Sequence, residues 1–341
     1  MSLLIAGIDE AGYGPTLGPL CVGMSVFRIR DWNRGDPAPD LWKLLKAAVC
    51  KKPGDTRRRI PIADSKAIKL PNDSPNHHPL IHLERGVLSF LRWLDHAPAT
   101  DAALFSVLNS QLDTAPWYCG EAIPIPVGQT EGEISIAAAR LGGCMEKAGV
   151  ELVGLYCHLV HEPQFNDIVR QTGTKAEATA HAFGHHLRRL SCHGWPLRTP
   201  VPTTPDEPAP PPVSIRLVCD QLGGRTSYEG LIARELPESE VTALAESGER
   251  SRYSVRHKDH DPDFIIQFMP EAESAHLPVA LASMVAKLTR ELIMKRFNRY
   301  WCIRSPEIKP TAGYSTDARR WLNEMQSVIE QQERAAMVRL V

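Results

Sequence analysis

Two adjacent carboxylates, Asp9 and Glu10, stand between an apolar run at residues 3–8 and a glycine-rich turn, Gly12-Tyr13-Gly14-Pro15. Carboxylates at the end of a buried strand are pre-positioned oxygen ligands for a hard divalent cation. A turn rich in glycine lets backbone approach a phosphate closely. The combination points to metal-dependent chemistry on a phosphate ester. Apolar runs end in acids twice more: residues 213–219 lead into Asp220, and residues 263–269 lead to Glu271 and Glu273. Asp9, Glu10, Asp220 and Glu273 make a ligand set for two Mg²⁺ or Mn²⁺ ions, which at roughly 3.5–4 Å separation activate a water and stabilise the departing oxygen in phosphodiester cleavage. Glu271 stays open as a substitute for Glu273. Neighbours in a strand face opposite sides, so Asp9 and Glu10 converge only if the strand ends or twists between them.

The elements that must position these acids follow from hydrophobic period and punctuation. Residues 3–8 and 20–30 read as antiparallel strands across the Gly/Pro turn, and 80–94 as a helix. Residues 95–130, broken by Pro98, Pro116, Pro124 and Pro126, read as an insertion. A helix is expected over 131–149, a strand over 150–159, a helix over 174–190 and a Pro-rich loop over about 199–213. Strands at 213–220 and 263–269 then precede a helix through 281–299 whose apolar residues recur at helical spacing. The expected fold is α/β: a mixed five-stranded sheet flanked by helices, with residues 1–315 as one domain and 316–341 as a C-terminal helical region. Acids at strand ends from distant parts of a chain are how an open α/β sheet assembles a site at one edge.

With 341 residues, 43% of them hydrophobic, the chain can bury an ample core. No secretory signal or membrane-length apolar stretch is present, so a cytoplasmic location and no membrane association are expected. Eight cysteines without a Cys-x-x-Cys pair signal neither a zinc ribbon nor a disulfide framework. A net charge of −1 excludes a protein that coats nucleic acid nonspecifically, so basic surface must be local. Lys51, Lys52 and Arg57 to Arg59 form one such concentration. Lys287, Arg290, Lys295, Arg296 and Arg299 form another, read as the solvated face of an amphipathic helix. His181, His185 and His186 fall on one helix but lack a third-ligand signature, and a structural role is the expectation.

Residues 7–15, Gly-Ile-Asp-Glu-Ala-Gly-Tyr-Gly-Pro, resemble the opening motif of the type 2 ribonucleases H (ribonuclease HII), departing from it where Tyr13 replaces an Arg. The resemblance continues through Asp64-Ser65-Lys66, through Asp220, through residues 282–290 (Ala-Ser-Met-Val-Ala-Lys-Leu-Thr-Arg), and through Ala312-Gly313-Tyr314-Ser315-Thr316. Gln221 stands where the family usually has Gly, and the fourth acid, ten residues before Ser283, is Glu273 in place of Asp. The resemblance implies a ribonuclease-H-like fold and two-metal cleavage of the RNA strand in RNA/DNA hybrids or ribonucleotide-containing duplexes, to 5′-phosphate and 3′-hydroxyl ends. It implies that Asp9 bridges the metals while Glu10, Asp220 and Glu273 complete their coordination. It further assigns Gly12, Tyr13 and Gly14 to the ribose 2′-hydroxyl, Tyr314 to the nucleotide at the junction, and Ser65, Lys66, Ser283 and Lys287 to phosphates. Tyr13 removes a cation and Glu273 adds a methylene. Both departures motivate the alternative of a non-catalytic or repurposed nucleic-acid-binding module.

Overall fold

The computed structural model describes residues 2–55, 57–191, 213–257 and 260–340. The Pro-rich loop expected over 199–213 lies outside the described residues except for Val213, which opens a strand. In chain order the elements are β1 (Ser2–Ala11), β2 (Leu20–Ile29), α1 (Leu41–Leu44), β3 (Val49–Cys50), β4 (Ile60–Pro61), α2 (Ser65–Ile68), α3 (Ile81–Trp93), α4 (Asp101–Val107), α5 (Glu131–Ala148), β5 (Val150–Val160), α6 (Glu162–Thr172) and α7 (Ala176–Ser191). Then follow β6 (Val213–Asp220), α8 (Glu229–Glu235), β7 (Ser239–Ala245), β8 (Ser251–His257), β9 (His260–Met269), α9 (Ala272–Ala275), α10 (Leu277–Arg304), α11 (Ser315–Glu324) and α12 (Gln331–Met337).

The main sheet is mixed, in the order β5-β2-β1-β6-β9-β8-β7, with β1, β6 and β9 parallel and the remaining pairs antiparallel. The five strands expected from the sequence are its first five. The count of five is corrected to seven, because β7 and β8 extend the β9 edge. Neither carries a continuous apolar run: β7 is largely exposed, and β8 buries Ser251, Tyr253 and Val255 in alternation with Arg252 and Ser254. Helices cover both faces. Along β1 the faces alternate: Leu3, Ile5 and Ala11 join the core shared with α3, α5 and α10, while Leu4, Ala6 and Ile8 join the core shared with α7 and α8. Local rules fix the ends of individual helices. In α5, Thr130 and Glu133 form a reciprocal capping box and Gly149 closes the other end in the left-handed conformation.

α10 is not the half-solvated helix that its charges suggest. Every residue from Leu277 to Arg290 is buried, because the helix lies directly on β1 and β2. A Cβ on Gly7 would collide with the backbone of Pro278 and Val279, and one on Gly23 with the carbonyl of Ala282. The region expected to be an insertion, 95–130, contains α4 and packs against the far half of α10. Asp101, fully buried, accepts from Arg296 Nη2 at 2.7 Å and from Nε at 2.5 Å, and Trp117 stacks on Trp301 with ring centroids 6.1 Å apart. Gly23→Ala forces α10 off the sheet, so it lowers stability by about 1–3 kcal/mol, read as a fall in the urea midpoint. An unchanged midpoint would mean that the close seating is not required.

Candidate active site

The three parallel strands all deliver their C-terminal ends to one edge. The last β1–β6 pair is Ile8 with Cys219, so Asp9 and Asp220 leave adjacent strands at the same level, about 4.8 Å apart by strand spacing. Asp220 pairs with Met269 of β9, and four residues later Glu273 sits in the short helix α9. Asp220 Oδ1 accepts from the backbone N–H of Ala272 at 3.3 Å, which ties the β6 end to the turn that carries Glu273. Glu271, at positive φ, is exposed and turned out, whereas Glu273 is half-buried with Oε2 buried and unpartnered. Of the two, Glu273 is the one with a buried oxygen that has no partner.

β1 does not end between Asp9 and Glu10: it runs on to Ala11, with Glu10 paired to Val22 of β2. Of the two conditions for convergence, a strand end between the acids is therefore excluded. Asp9 shares the α10 face with Ile5 and Ala11, and Glu10 the opposite face with Ile8. They meet electrostatically at the sheet edge instead. Burial, then the charges of Glu10 and Asp220, hold the Asp9 carboxyl well above the usual range, opposed by a hydrogen bond from Ser283. Burial and Asp220 raise Glu10 to about 7, with Lys66 pulling the other way and Glu273 adding repulsion. Burial also raises Asp220 and Glu273, and Lys66 lowers both. Lys66 is thus the cation in the field of the cluster, held at the start of α2 by the N-cap Asp64, whose Oδ1 accepts from Lys66 N at 3.0 Å. Ser65 Oγ lies 3.0 Å from Ser283 Oγ.

Among the described residues no three His, Cys, Asp or Glu side chains converge closely enough to hold an ion as they stand. The donor set nevertheless fits a hard divalent cation. Four carboxylates that repel one another, one with an unpartnered buried oxygen, are relieved by positive charge placed among them.

The remaining residues expected at the site gather around the turn that follows β1. Gly12 has φ +93, and a Cβ there would meet Arg290 Nε at 2.5 Å, so both conformation and space demand glycine. No heavy atom lies within 4 Å of a Cβ built on Gly14, which leaves the crest of the turn open. From behind, Arg339 Nη1 donates to Gly12 O at 2.6 Å and Nη2 to Tyr13 O at 3.0 Å, while Arg290 Nη2 donates to Leu17 O at 2.8 Å. Gly18 N donates to Glu162 Oε1 at 3.1 Å, and the same oxygen accepts from the Tyr118 hydroxyl. Tyr13 lies under Lys175, whose Nζ is 4.9 Å from the ring centroid. Tyr314 is exposed beside the turn, and Lys287 Nζ reaches its hydroxyl at 3.4 Å while pairing with Glu291 at 2.8 Å.

Two groups emerge. Ser65, Lys66 and Ser283 stand with the four acids, whereas Lys287 faces Tyr314 and Glu291. Sequence reasoning missed Arg339 and Glu162 altogether, gave Asp64 no role of its own, and treated Arg290 as a surface cation. Asp64 sat within a quoted motif and was recoverable from its capping position, but Arg339 and Glu162 carry no local signal. On the opposite face His186 Nε2 donates to Val22 O at 2.9 Å, and the His158 and His185 rings stack at 4.0 Å.

Among solved structures the chain is similar to ribonuclease H2 from Pyrococcus horikoshii OT3, at 16% identity over 98% of this chain and 92% of that one, with a TM-score of 0.43. It is similar to a chain of the PCNA:RNase HII complex from Archaeoglobus fulgidus, at 13% identity, 99% and 94% coverage and a TM-score of 0.39. Bst-RNase HIII in complex with Mn²⁺ matches at 13% identity, 99% of this chain and 66% of that one, with a TM-score of 0.41. No protein-family model and no curated protein matches the chain.

The raised acids make stability pH-dependent. Glu10 binds its proton more tightly folded, at about 7, than at its ordinary 4.5, so the metal-free protein loses stability as pH rises through that window. In EDTA, Glu10→Gln should melt above the wild type at pH 8 and together with it at pH 4. Equal melting temperatures at pH 8 would show that the carboxylate carries no electrostatic penalty.

Proposed function

We propose that the chain is a divalent-metal-dependent endoribonuclease that cleaves the RNA strand of RNA/DNA hybrids to 5′-phosphate and 3′-hydroxyl ends. The observation that carries this reading is the delivery of Asp9, Glu10, Asp220 and Glu273 to one sheet edge, where burial raises all four carboxyls and repulsion between neighbours adds to the rise of Asp9, Glu10 and Glu273. The motif resemblance around the same residues supports it. Mg²⁺ or Mn²⁺ would be held by these four side chains, and when bound would supply an activated water and charge stabilisation at the leaving oxygen. The chain's own contributions are positional. Ser283 fixes Asp9 from α10, and Lys66 offers a cation to the phosphate beside the acids. The open crest at Gly14 admits a sugar–phosphate backbone, and the exposed Tyr314 ring offers a stacking surface to a sugar or base. Arg339 holds the carbonyls of Gly12 and Tyr13 from the protein side, which fixes the turn that would face the 2′-hydroxyl.

Tyr13 favours a second reading, a nucleic-acid-binding module without cleavage, because an aromatic covered by Lys175 stands where the motif has a cation. The two separate in one assay. Labelled RNA/DNA hybrid, all-DNA duplex and single-ribonucleotide duplex are incubated with the protein, with and without Mg²⁺ or Mn²⁺. The hybrid should be cut only with metal, and Asp9→Asn should reduce the rate at least about 100-fold. Tight binding of hybrid with no product in either metal would replace the enzyme by the binding module.

A further inference from the structure

Tyr13 removes a cation from the turn after β1, and the structure sets another cation against it. The Tyr13 ring packs on the core opposite α10 and reaches the turn after β6 and the start of α7. A Cβ built on Gly223 would stand 3.1 Å from the Tyr13 hydroxyl oxygen and 3.0 Å from Ala176 Cβ, so the three segments meet there. Burial, and then the charge of Glu10, push that hydroxyl up, which places it in the field of the acids. Tyr13 thus walls the acid cluster on its α7 side, from the β1 end that carries Glu10 to the turn that follows Asp220.

Lys175 stands on that wall. Its Nζ lies 4.9 Å from the Tyr13 ring centroid, so the charged end itself is against the ring, and not only the aliphatic stem. Among the described residues this ammonium meets no carboxylate and donates to no acceptor. The nearest acid along the chain, Glu177, is already occupied by Arg225 and by Arg234, the latter at 3.3 Å. Lys175 is half-buried, which keeps its ammonium in reach of solvent while the ring restricts where it goes. A lysine ammonium is a compact point charge on a flexible stem, and an aromatic face holds it weakly enough that an anion displaces little in engaging it. Next to Tyr13 the crest at Gly14 is open, with no heavy atom within 4 Å of a Cβ built there. A sugar–phosphate backbone laid over that crest passes the ammonium.

We propose that Lys175 is the cation that contacts a backbone phosphate of the nucleic acid at this turn, held in place by the Tyr13 ring, so that two residues together do what one cation in the turn would do. The inference rests on the nucleic-acid reading of the site and holds with or without cleavage. Its test is equilibrium binding of a labelled RNA/DNA hybrid in Mg²⁺ at several salt concentrations, in the Asp9→Asn background so that cleavage does not intrude. Each cation that neutralises a phosphate adds about one to the slope of log affinity against log salt. Lys175→Ala should weaken binding about three- to tenfold at low salt and reduce that slope by about one, and Lys175→Arg should keep both. Tyr13→Leu, which keeps the charge and removes the ring, should weaken binding with the slope unchanged, and should weaken Lys175→Ala little further. Lys147→Ala, an exposed cation on α5 behind the other face of the sheet, should alter neither quantity. A lysine that only packs on Tyr13 would lower the melting temperature when replaced by Ala and leave the slope where it was. That result, an equal loss of slope in Lys147→Ala, or effects of Tyr13→Leu and Lys175→Ala that simply add would overturn the proposal. Hybrid that binds none of these proteins removes the nucleic-acid reading itself, whereas binding with an unchanged slope in Lys175→Ala removes this inference alone.

Discussion

The seating of α10 on β1 and β2, backbone against backbone at Gly7 and Gly23, is the constraint on which the rest of the molecule depends. It sets the height at which Ser283 meets Asp9, and two turns further on it brings Arg290 under the turn after β1. Beyond that, Arg296 meets Asp101 and secures the irregular region before α5. One helix therefore serves the acids, the turn and the outer packing in succession along its length. A helix held off the sheet by even one methyl group at Gly23 would shift all three together.

The cost of this arrangement is buried charge. Arg290 and Arg339 are each 1% exposed, and neither forms an ion pair among the described residues. Backbone carbonyls of the turn satisfy them instead, leaving the Nε of each without a partner. Burial pulls Arg339 down to about 10, and Arg290 adds repulsion, while Glu162 nearby works in the opposite direction. Removing a carbonyl partner from a buried guanidinium costs more than an ordinary hydrogen bond contributes. The turn and the arginines are thereby mutually dependent: the cations need the carbonyls that the glycine conformation presents, and the conformation needs the cations.

Much of this was legible in the sequence, and the parts that were not share a cause. The five central strands, the helices over 81–93, 131–148 and 176–191, and the acids at the strand ends follow from period and punctuation, which act over a few residues. β7 and β8 escaped because strands with one polar or exposed face lack an apolar run. Residues 95–130 escaped because Asp101 and Trp117 are fixed by Arg296 and Trp301, nearly 200 positions away, rather than by local pattern. The cations of α10 were misread for a related reason. Charge on a helix normally marks the solvent side, and nothing nearby announces that carbonyls of residues 12–18 will arrive to meet it. Lys66 was legible through the motif Asp64-Ser65-Lys66, whereas Arg339 was not legible at all.

Arg339 joins the turn across separations of 327 and 326 residues. The sheet between them brings the two ends of that loop side by side, which lowers the cost of closing it. The acids, by contrast, are placed by β1, β6 and β9 as soon as those strands pair. The molecule thus owes its charged edge to strand pairing and the shape of the adjoining turn to Arg339, so the two halves of the site rest on different parts of the sequence although they are neighbours in space.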